Sequence, residues 1–199
     1  MKVVLVISGA SGVVVGLRLA EVLSKVGEVY TIVTQEGLLV ADYECLGRNR
    51  FVKLLRSFSK EVYLANEIDA PLASSSFLAE VGIAAPASMR LISSLAQGLQ
   101  EDLASRALIS ILRRRGKVIV VFRESPLGVA ELKNLLRLAE RGVIVIPAVL
   151  GFYGVEGNVR SFVDFVVGKV LDVLGVKHDL YSRWTRKTPP LDPCRIFYE

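Results

Sequence analysis

A strand, a tight turn and a helix follow one another at the start of the chain, and this order restricts the possible folds most. Residues 3–7 (VVLVI) are apolar throughout, which is typical of a strand buried on both faces of a parallel sheet. Small residues follow at 8–12 (SGASG), and residues 13–20 then have the apolar spacing of an amphipathic helix. Because the N–H groups at a helix start attract anions, this corner predicts a phosphate-binding turn.

Strands and helices alternate through the rest of the chain. Further strands are predicted at 28–34, 61–64, 81–85 (ended by Pro86), 118–122 and 143–146, and helices at 35–46, 51–58, 88–96, 102–115, 129–141 and 159–174. This alternation predicts parallel βαβ units and a three-layer α/β/α, doubly wound, mainly parallel sheet. Residues 1–176 are expected to form one domain. Residues 177–199 are expected to form an extended tail that closes the site or packs on a neighbouring subunit.

Composition narrows the class of partner. The 199 residues carry a formal net charge of +5, and no basic block is long enough for a nucleic-acid track, so an anionic small molecule is expected instead. Cys45 and Cys194 have neither metal-binding nor redox spacing, which favours a reducing cytoplasm. The apolar stretch 142–155 contains Pro147 and is shorter than the ~20 residues that a membrane helix needs. We therefore expect a cytoplasmic protein without a membrane segment.

Polar clusters follow the predicted strands. They are Ser8–Gly12, Thr34, Ser88–Arg90, Arg123–Glu124 and Tyr153. Because the carboxyl ends of parallel strands meet at one edge of a sheet, these clusters are expected to form one ligand site at the switch point.

The residues of the first turn argue against the common nucleotides. A dinucleotide fingerprint needs glycine where Ser11 and Val14 stand, and a carboxylate where Thr34 ends the second strand. A Gly-Lys-Ser/Thr phosphate loop is absent from the sequence. A hydroxyl-lined phosphate or polyol site remains, with Ser8, Ser11, Thr34, Ser88 and the run Ser74–Ser76 as candidates. FMN, with one phosphate and a ribityl chain, suits such a site.

Arg123 and Glu124 directly follow the apolar run 118–122. Charged groups at the end of a buried strand must be paired or bound to a ligand, so they are either a structural ion pair or part of the site. Their position favours the site.

Seven short motifs, in order along the chain, resemble those of the flavin prenyltransferases, the UbiX-type family. They are 8–12 (SGASG), 84–90 (AAPASMR), 105–107 (SRA), 123–127 (RESPL), 151–153 (GFY), 167–172 (VGKVLD) and 183–184 (RW). The resemblance spans 3–184 and implies a Rossmann-like flavoprotein fold. Leu91 departs from a threonine common in the family, and Ser75 departs from the glycine of its middle loop.

The resemblance implies an enzyme that transfers a dimethylallyl group from dimethylallyl phosphate to N5 and C6 of reduced FMN. The product, prenylated FMN, would serve a UbiD-type decarboxylase. The family commonly forms dodecamers, so a homo-oligomer is expected. No metal is implied, and the sequence has no adjacent aspartates of the kind that hold magnesium in diphosphate-dependent prenyltransferases.

The resemblance also implies the site residues. The FMN-binding positions are Gly9, Ala10, Ser11, Thr34, Ser88, Met89, Arg90, Leu91 and Arg123. The positions for dimethylallyl phosphate are Tyr153 and Lys169, with Arg106 and Arg113 expected from a neighbouring subunit and Trp184 closing the pocket. The catalytic positions are Glu124, Ser11 and Glu44.

Two other functions are considered. An FMN-dependent cysteine decarboxylase would need an early histidine, whereas the one histidine is His178, expected to be solvated in the tail. A non-catalytic FMN carrier would keep the phosphate corner but would not need Arg123, Glu124, Tyr153 and Lys169 together.

Overall fold

The computed structural model describes residues 1–45, 47–154 and 158–185. The chain divides into two compact units, the first spanning Met1–Pro147 and the second beginning at Ala148. The domain boundary expected near residue 176 stays a prediction.

Six parallel strands form a single sheet in the first unit. Their bounds are β1 Lys2–Ile7, β2 Glu28–Val33, β3 Glu61–Leu64, β4 Val81–Ala87, β5 Lys117–Phe122 and β6 Ile144–Pro147. The strand order is β3-β2-β1-β4-β5-β6, and every neighbouring pair is parallel. The predicted doubly wound α/β fold is thereby confirmed. The order reverses between β1 and β4, which places the switch point at the end of the first strand.

Seven helices accompany the strands in the described part of the chain. Their bounds are α1 Val13–Leu23, α2 Gln35–Glu44, α3 Arg48–Phe58, α4 Met89–Gln97, α5 Leu103–Arg113, α6 Val129–Glu140 and, in the second unit, α7 Val159–Leu174. Side chains of Thr34, Ser88, Asp102 and Asn158 cap four of these helices. The cap predicted at Ser88 is thus present. No helix within the described ranges combines the length and the apolar character needed to cross a bilayer.

The end of β4 differs from the prediction. The expected stop at Pro86 was wrong: the strand runs to Ala87, which pairs with Phe122 after a shift of register beyond Ala84. Proline has no N–H to donate, so it is tolerated in a strand where the pairing is irregular. Its carbonyl oxygen still accepts a hydrogen bond, here from the backbone N–H of Ser8 at 3.1 Å.

Ser8 joins the ends of β1 and β4. Its hydroxyl donates to the carbonyl oxygen of Pro86 at 2.9 Å and accepts from the backbone N–H of Ser88 at 2.8 Å. The residue is 1% exposed, so water cannot replace these bonds. One buried hydroxyl therefore sets the spacing between the first turn and the start of α4.

We expect Ser8→Ala to lower the free energy of unfolding by about 1–3 kcal/mol, because it leaves a buried N–H without its partner. Urea unfolding followed by circular dichroism measures the change. Ser57→Ala is the matched control: this exposed hydroxyl bonds only the nearby carbonyl of Leu54, and its removal should cost no more than about 0.5 kcal/mol. Equal losses in the two variants would contradict a stabilising role for Ser8.

Candidate active site

A cleft of about 590 Å³ lies where β1, β2, β4 and β5 end. It is lined by Gly9, Ala10, Ser11, Glu36, Val40, Tyr43, Glu44, Ser88, Met89, Arg90, Arg123 and Glu124. The structure therefore brings together most of the residues expected to bind FMN, as well as all three expected catalytic residues. Their common position follows from the parallel sheet, because each group lies just after a strand or on the helix that follows one.

Helix α2 contributes three lining residues that sequence reasoning missed: Glu36, Val40 and Tyr43. Together with Glu44 they are spaced four, three and one residues apart, which places them on one face of a helix. Glu36, Tyr43 and Glu44 are also exposed. This helical spacing could have predicted that the three residues line the cleft. It could do so only if α2 was known to begin at the edge of the sheet where the cleft lies.

A narrower recess shares Glu36, Ser88 and Arg90 with the cleft. It is lined by Ser8, Thr34, Glu36, Ser88, Arg90, Leu91, Ser94, Glu101 and Asp102. Thr34 and Leu91, the expected FMN positions absent from the cleft, are found here. The run Ser74–Ser76, considered for the same site, lines neither space.

Three helices have their N-caps at this recess: α2 at Thr34, α4 at Ser88 and α5 at Asp102, which caps its helix with a carboxylate. The hydroxyl of Thr34 accepts from the N–H of Gly37 at 3.1 Å at the start of α2, and that of Ser88 accepts from the N–H of Leu91 at 3.4 Å at the start of α4. The first N–H groups of a helix and its dipole favour an anion. The two hydroxyl-capped helix starts, those of α2 and α4, therefore favour an anion. The recess has a volume of about 20 Å³, and the carboxylates of Glu36, Glu101 and Asp102 also line it.

The start of α1 differs from the expectation for the first turn. One carboxylate oxygen of Glu44, Oε2, accepts from the N–H of Gly12 at 2.8 Å and from that of Val13 at 3.2 Å. A side chain of this protein thus occupies the helix start that the sequence suggested for phosphate. Among the helix starts at this edge, those of α2 and α4 are the better anion sites.

Gly9 is required by the close approach of the first turn to α2. A β-carbon at this position would lie 2.3 Å from Cβ of Glu36 and 3.2–3.3 Å from its backbone. No side chain fits in that space without moving the helix. The glycine therefore serves packing between the turn and the wall of the cleft, as well as any ligand above it.

The charged groups of the cleft are exposed. Arg90 contacts Glu36 at 3.0 Å and Glu101 at 3.8 Å, with about two thirds of its side chain exposed. Arg123 and Glu124 are also exposed, and Oε1 of Glu124 accepts from the backbone N–H of Ser125 at 3.0 Å. This arrangement favours a role in the site over a buried ion pair for Arg123 and Glu124.

Arg106 and Arg113 lie on α5 and line neither the cleft nor the recess. The Nε atom of Arg106 is buried without a hydrogen-bond partner among the described residues, which is unusual for a buried donor. Their expected contribution to a neighbouring subunit's site stays a prediction. The adjacent Arg114 instead ties α5 to the segment before β4, since it donates to the carbonyls of Ser75, Phe77 and Ala79 at 2.8–3.2 Å.

The second unit contains three of the five residues expected at the site of the allylic donor: Tyr153, Lys169 and Trp184. Tyr153 packs edge-on against Trp184, with ring centroids 5.2 Å apart, and against Phe165 at 6.0 Å. The ammonium of Lys169 lies 5.0 Å from the centroid of Phe165 and 4.5 Å from that of Tyr181. Tyr153, Phe165, Tyr181 and Trp184 thus form an aromatic cluster that includes the lysine.

Asp172 is the centre of a polar network beside this cluster. Its carboxylate accepts from Tyr181 Oη, from Nε2 of His178 at 3.0 Å and from Arg183 at 2.6 Å. Burial acts to raise the pKa of Asp172, but the hydrogen bonds from Arg183, Tyr181 and His178 outweigh it and lower the pKa to about 2. The expectation that His178 is solvated was wrong: its side chain is 4% exposed because it packs between Asp172 and Tyr181.

Comparison with known proteins identifies the family. The Flavoprotein family model matches residues 1–171. The flavin prenyltransferase UbiX of Saccharolobus solfataricus is 38% identical over 186 residues, which cover 92% of this chain and 92% of that protein. The chain belongs to the flavin prenyltransferase family.

Solved structures of the family agree with this assignment. AnUbiX (PadA1), in complex with FMN and dimethylallyl pyrophosphate, is similar with a TM-score of 0.86 and 27% identity, covering 92% of this chain and 97% of that chain. A dodecameric FMN-dependent UbiX-like decarboxylase from Escherichia coli O157:H7 has a TM-score of 0.87 and 27% identity, covering 93% and 100%. The fold of this flavin prenyltransferase family member is therefore the Rossmann-like flavoprotein fold that the resemblance implied.

Acidic side chains in this family member do not cluster as metal ligands do. Within residues 1–45, 47–154 and 158–185, no group of three or more histidine, cysteine, aspartate or glutamate side chains could hold a metal ion.

The lowered pKa of Asp172 predicts that the loss of thermal stability in Asp172→Asn depends on pH. The carboxyl titrates near pH 2 in the folded protein and at 3.8 when unperturbed, so its contribution to stability is complete above about pH 4 and is lost as the pH falls towards 2. At pH 7 we expect the variant's Tm to be lower by about 2–6 °C. Thermal unfolding at stepped pH should show this difference shrinking below about pH 4. A difference that stays constant down to pH 2 would contradict the prediction.

Proposed function

We propose that this protein is a flavin prenyltransferase that moves a dimethylallyl group from dimethylallyl phosphate to N5 and C6 of reduced FMN. The observation that carries the proposal is the set of residues gathered at one edge of the sheet in the first unit. Every position expected to hold FMN lines the cleft or the recess there, together with Glu44 and Glu124. Membership of the flavin prenyltransferase family supports the same reaction.

The residues of the cleft suit FMN. Its volume of about 590 Å³ lies within the usual range for sites of this kind. Thr34 and Ser88, at the starts of α2 and α4, would hold the phosphate, and the hydroxyl of Ser11 would bind polar groups of the ligand. Val40 and Met89 would contact the apolar ring system. When bound and reduced, FMN supplies the two nucleophilic atoms that accept the allyl group.

The cations and aromatic rings suit the charges of the transfer. Breaking the allylic carbon–oxygen bond leaves positive charge on carbon and negative charge on phosphate. The ammonium of Lys169 in the second unit would stabilise the leaving phosphate, and the guanidinium of Arg123 at the cleft of the first unit would hold FMN. Tyr153 and Trp184, already in contact with each other, would face the allylic cation. Arg106 and Arg113 of a neighbouring subunit would add to the phosphate site.

The two carboxylates have different surroundings and are assigned different roles. Glu124 lies at the mouth of the cleft, exposed, with one oxygen fixed by the N–H of Ser125, and would relay a proton as the two bonds form. Glu44 is held by the N–H groups of Gly12 and Val13, beside Ser11. It would hold the turn that carries Ser11 in place against the ligand.

The proposal also includes the recipient of the product and the assembly of the enzyme. The product would be handed to a UbiD-type decarboxylase, and a dodecameric assembly is supported by the dodecameric neighbour. The reaction as proposed needs no metal. Cysteine decarboxylation is not favoured, because the one histidine, His178, is bound to Asp172 in the second unit.

Anaerobic incubation with reduced FMN and dimethylallyl phosphate should convert the flavin into a product heavier by one C5 prenyl unit. Mass spectrometry of the extracted flavin measures the conversion. A parallel reaction with dimethylallyl pyrophosphate tests the donor found in AnUbiX. If neither donor adds a prenyl unit, the proposed function is wrong.

We expect Glu124→Gln to slow prenylation by about 10²–10⁴-fold, because the amide cannot relay a proton. FMN affinity, followed by flavin fluorescence, should stay unchanged, since the substitution keeps the shape of the side chain. Glu140→Gln on α6, exposed and outside the cleft, is the control and should retain full activity. Full activity in Glu124→Gln would remove Glu124 from the mechanism.

A further inference from the structure

Lys169 is held through its ammonium group. Its ammonium donates to the hydroxyl of Tyr181 at 2.9 Å and lies over the rings of Phe165 and Tyr181. A lysine side chain has four flexible bonds and loses considerable entropy when it is fixed. The hydrogen bond to Tyr181 uses one of the three ammonium N–H groups, which leaves two for a ligand.

The hydroxyl of Tyr181 can accept from Lys169 only while its own proton points elsewhere. That proton is donated to the carboxylate of Asp172. A tyrosine hydroxyl has one proton, so this bond directs its lone pairs to the lysine. The ring itself cannot move away easily, because Tyr181 is 8% exposed and packs on Gly168, where a β-carbon would lie 2.5 Å from the ring.

Asp172 is in turn fixed from two further sides. His178 contacts it through Nε2, and the N–H of Leu180 donates to Nδ1 of the same ring at 3.3 Å, so the neutral imidazole carries its proton on Nε2. Arg183 donates to the same carboxylate oxygen at 2.6 Å. The carboxylate is thus ionised and oriented, and the hydrogen bond to Tyr181 raises the pKa of Lys169, which stays cationic.

We propose that Asp172 is a positioning residue that orders the ammonium of Lys169 through the hydroxyl of Tyr181, so that two N–H groups meet the phosphate of the allylic donor. The inference rests on the proposed function, because it takes the allylic phosphate as the ligand of Lys169. It differs from a purely structural role, in which Asp172 would only attach residues 178–183 to α7.

A double-mutant cycle separates the two roles. Asp172→Asn should raise the KM for dimethylallyl phosphate by about five- to twentyfold, with a smaller effect on kcat and none on FMN affinity. Lys169→Met should raise the KM at least as much. Adding Asp172→Asn to Lys169→Met should then have little further effect, since the residue to be positioned is gone.

Two single variants provide a second test and a control. Tyr181→Phe keeps the packed ring and removes only the hydroxyl, so it should reproduce the KM rise of Asp172→Asn even if that variant is unstable. Asp179→Asn changes an exposed carboxylate in the same segment and should leave the KM unchanged. A KM rise in Asp172→Asn that is undiminished in the Lys169→Met background would overturn the inference.

A second measurement does not depend on turnover. The ammonium resonance of Lys169 in ¹⁵N-labelled protein should exchange slowly with water in the wild type and quickly in Asp172→Asn and Tyr181→Phe. Unchanged exchange in both variants would overturn the inference, whatever the activity. Absence of any prenylated product from the wild-type enzyme, with exchange altered as expected, would instead locate the failure in the proposed function.

Discussion

Parallel strands impose one constraint on which the first unit depends: their carboxyl ends must meet at the same edge of the sheet. Four of the strands end beside the cleft, and the polar residues that follow them cannot be dispersed over the surface. The buried hydroxyl of Ser8 links the ends of β1 and β4 at the switch point, because it bonds the backbone of Pro86 and of Ser88. The position of the site is thus a consequence of topology, and its internal spacing depends on a single side chain.

Electrostatics then distinguishes between the helix starts at that edge. All attract anions, but α1 is satisfied by Glu44, whereas α2 and α4 are capped by neutral hydroxyls. A phosphate at α1 would have to displace the carboxylate of Glu44, so binding near Thr34 and Ser88 is favoured. The recess there is also lined by the carboxylates of Glu36, Glu101 and Asp102, and Arg90 contacts the first two.

Much of the fold could be predicted from the sequence, because apolar periodicity is a local property. The edge strand at 61–64 and the helix at 159–174 were predicted with the bounds they have, and the cap at Ser88 was recognised from its residue type. The continuation of β4 through Pro86 could not be predicted, since it depends on a hydrogen bond from a residue 78 positions away.

The site, like the fold, could be predicted only in part. The expected FMN positions that follow strands do share one edge of the sheet, whereas Glu36, Val40 and Tyr43 of α2 and the network around Asp172 were missed. The network exists only because residues 178–183 fold back onto α7, and nothing in the local pattern of that segment indicates burial of His178. The family resemblance assigned a role to Lys169 but none to Asp172, although both belong to the motif 167–172.

The absence of a side chain at Gly9 has a mechanical consequence. A β-carbon at position 9 would overlap Glu36, so a larger residue there could be accommodated only by moving α2. Helix α2 contributes Glu36, Val40, Tyr43 and Glu44 to the lining of the cleft. A substitution at Gly9 would therefore change the opposite wall of the cleft even if the new side chain never touched a ligand.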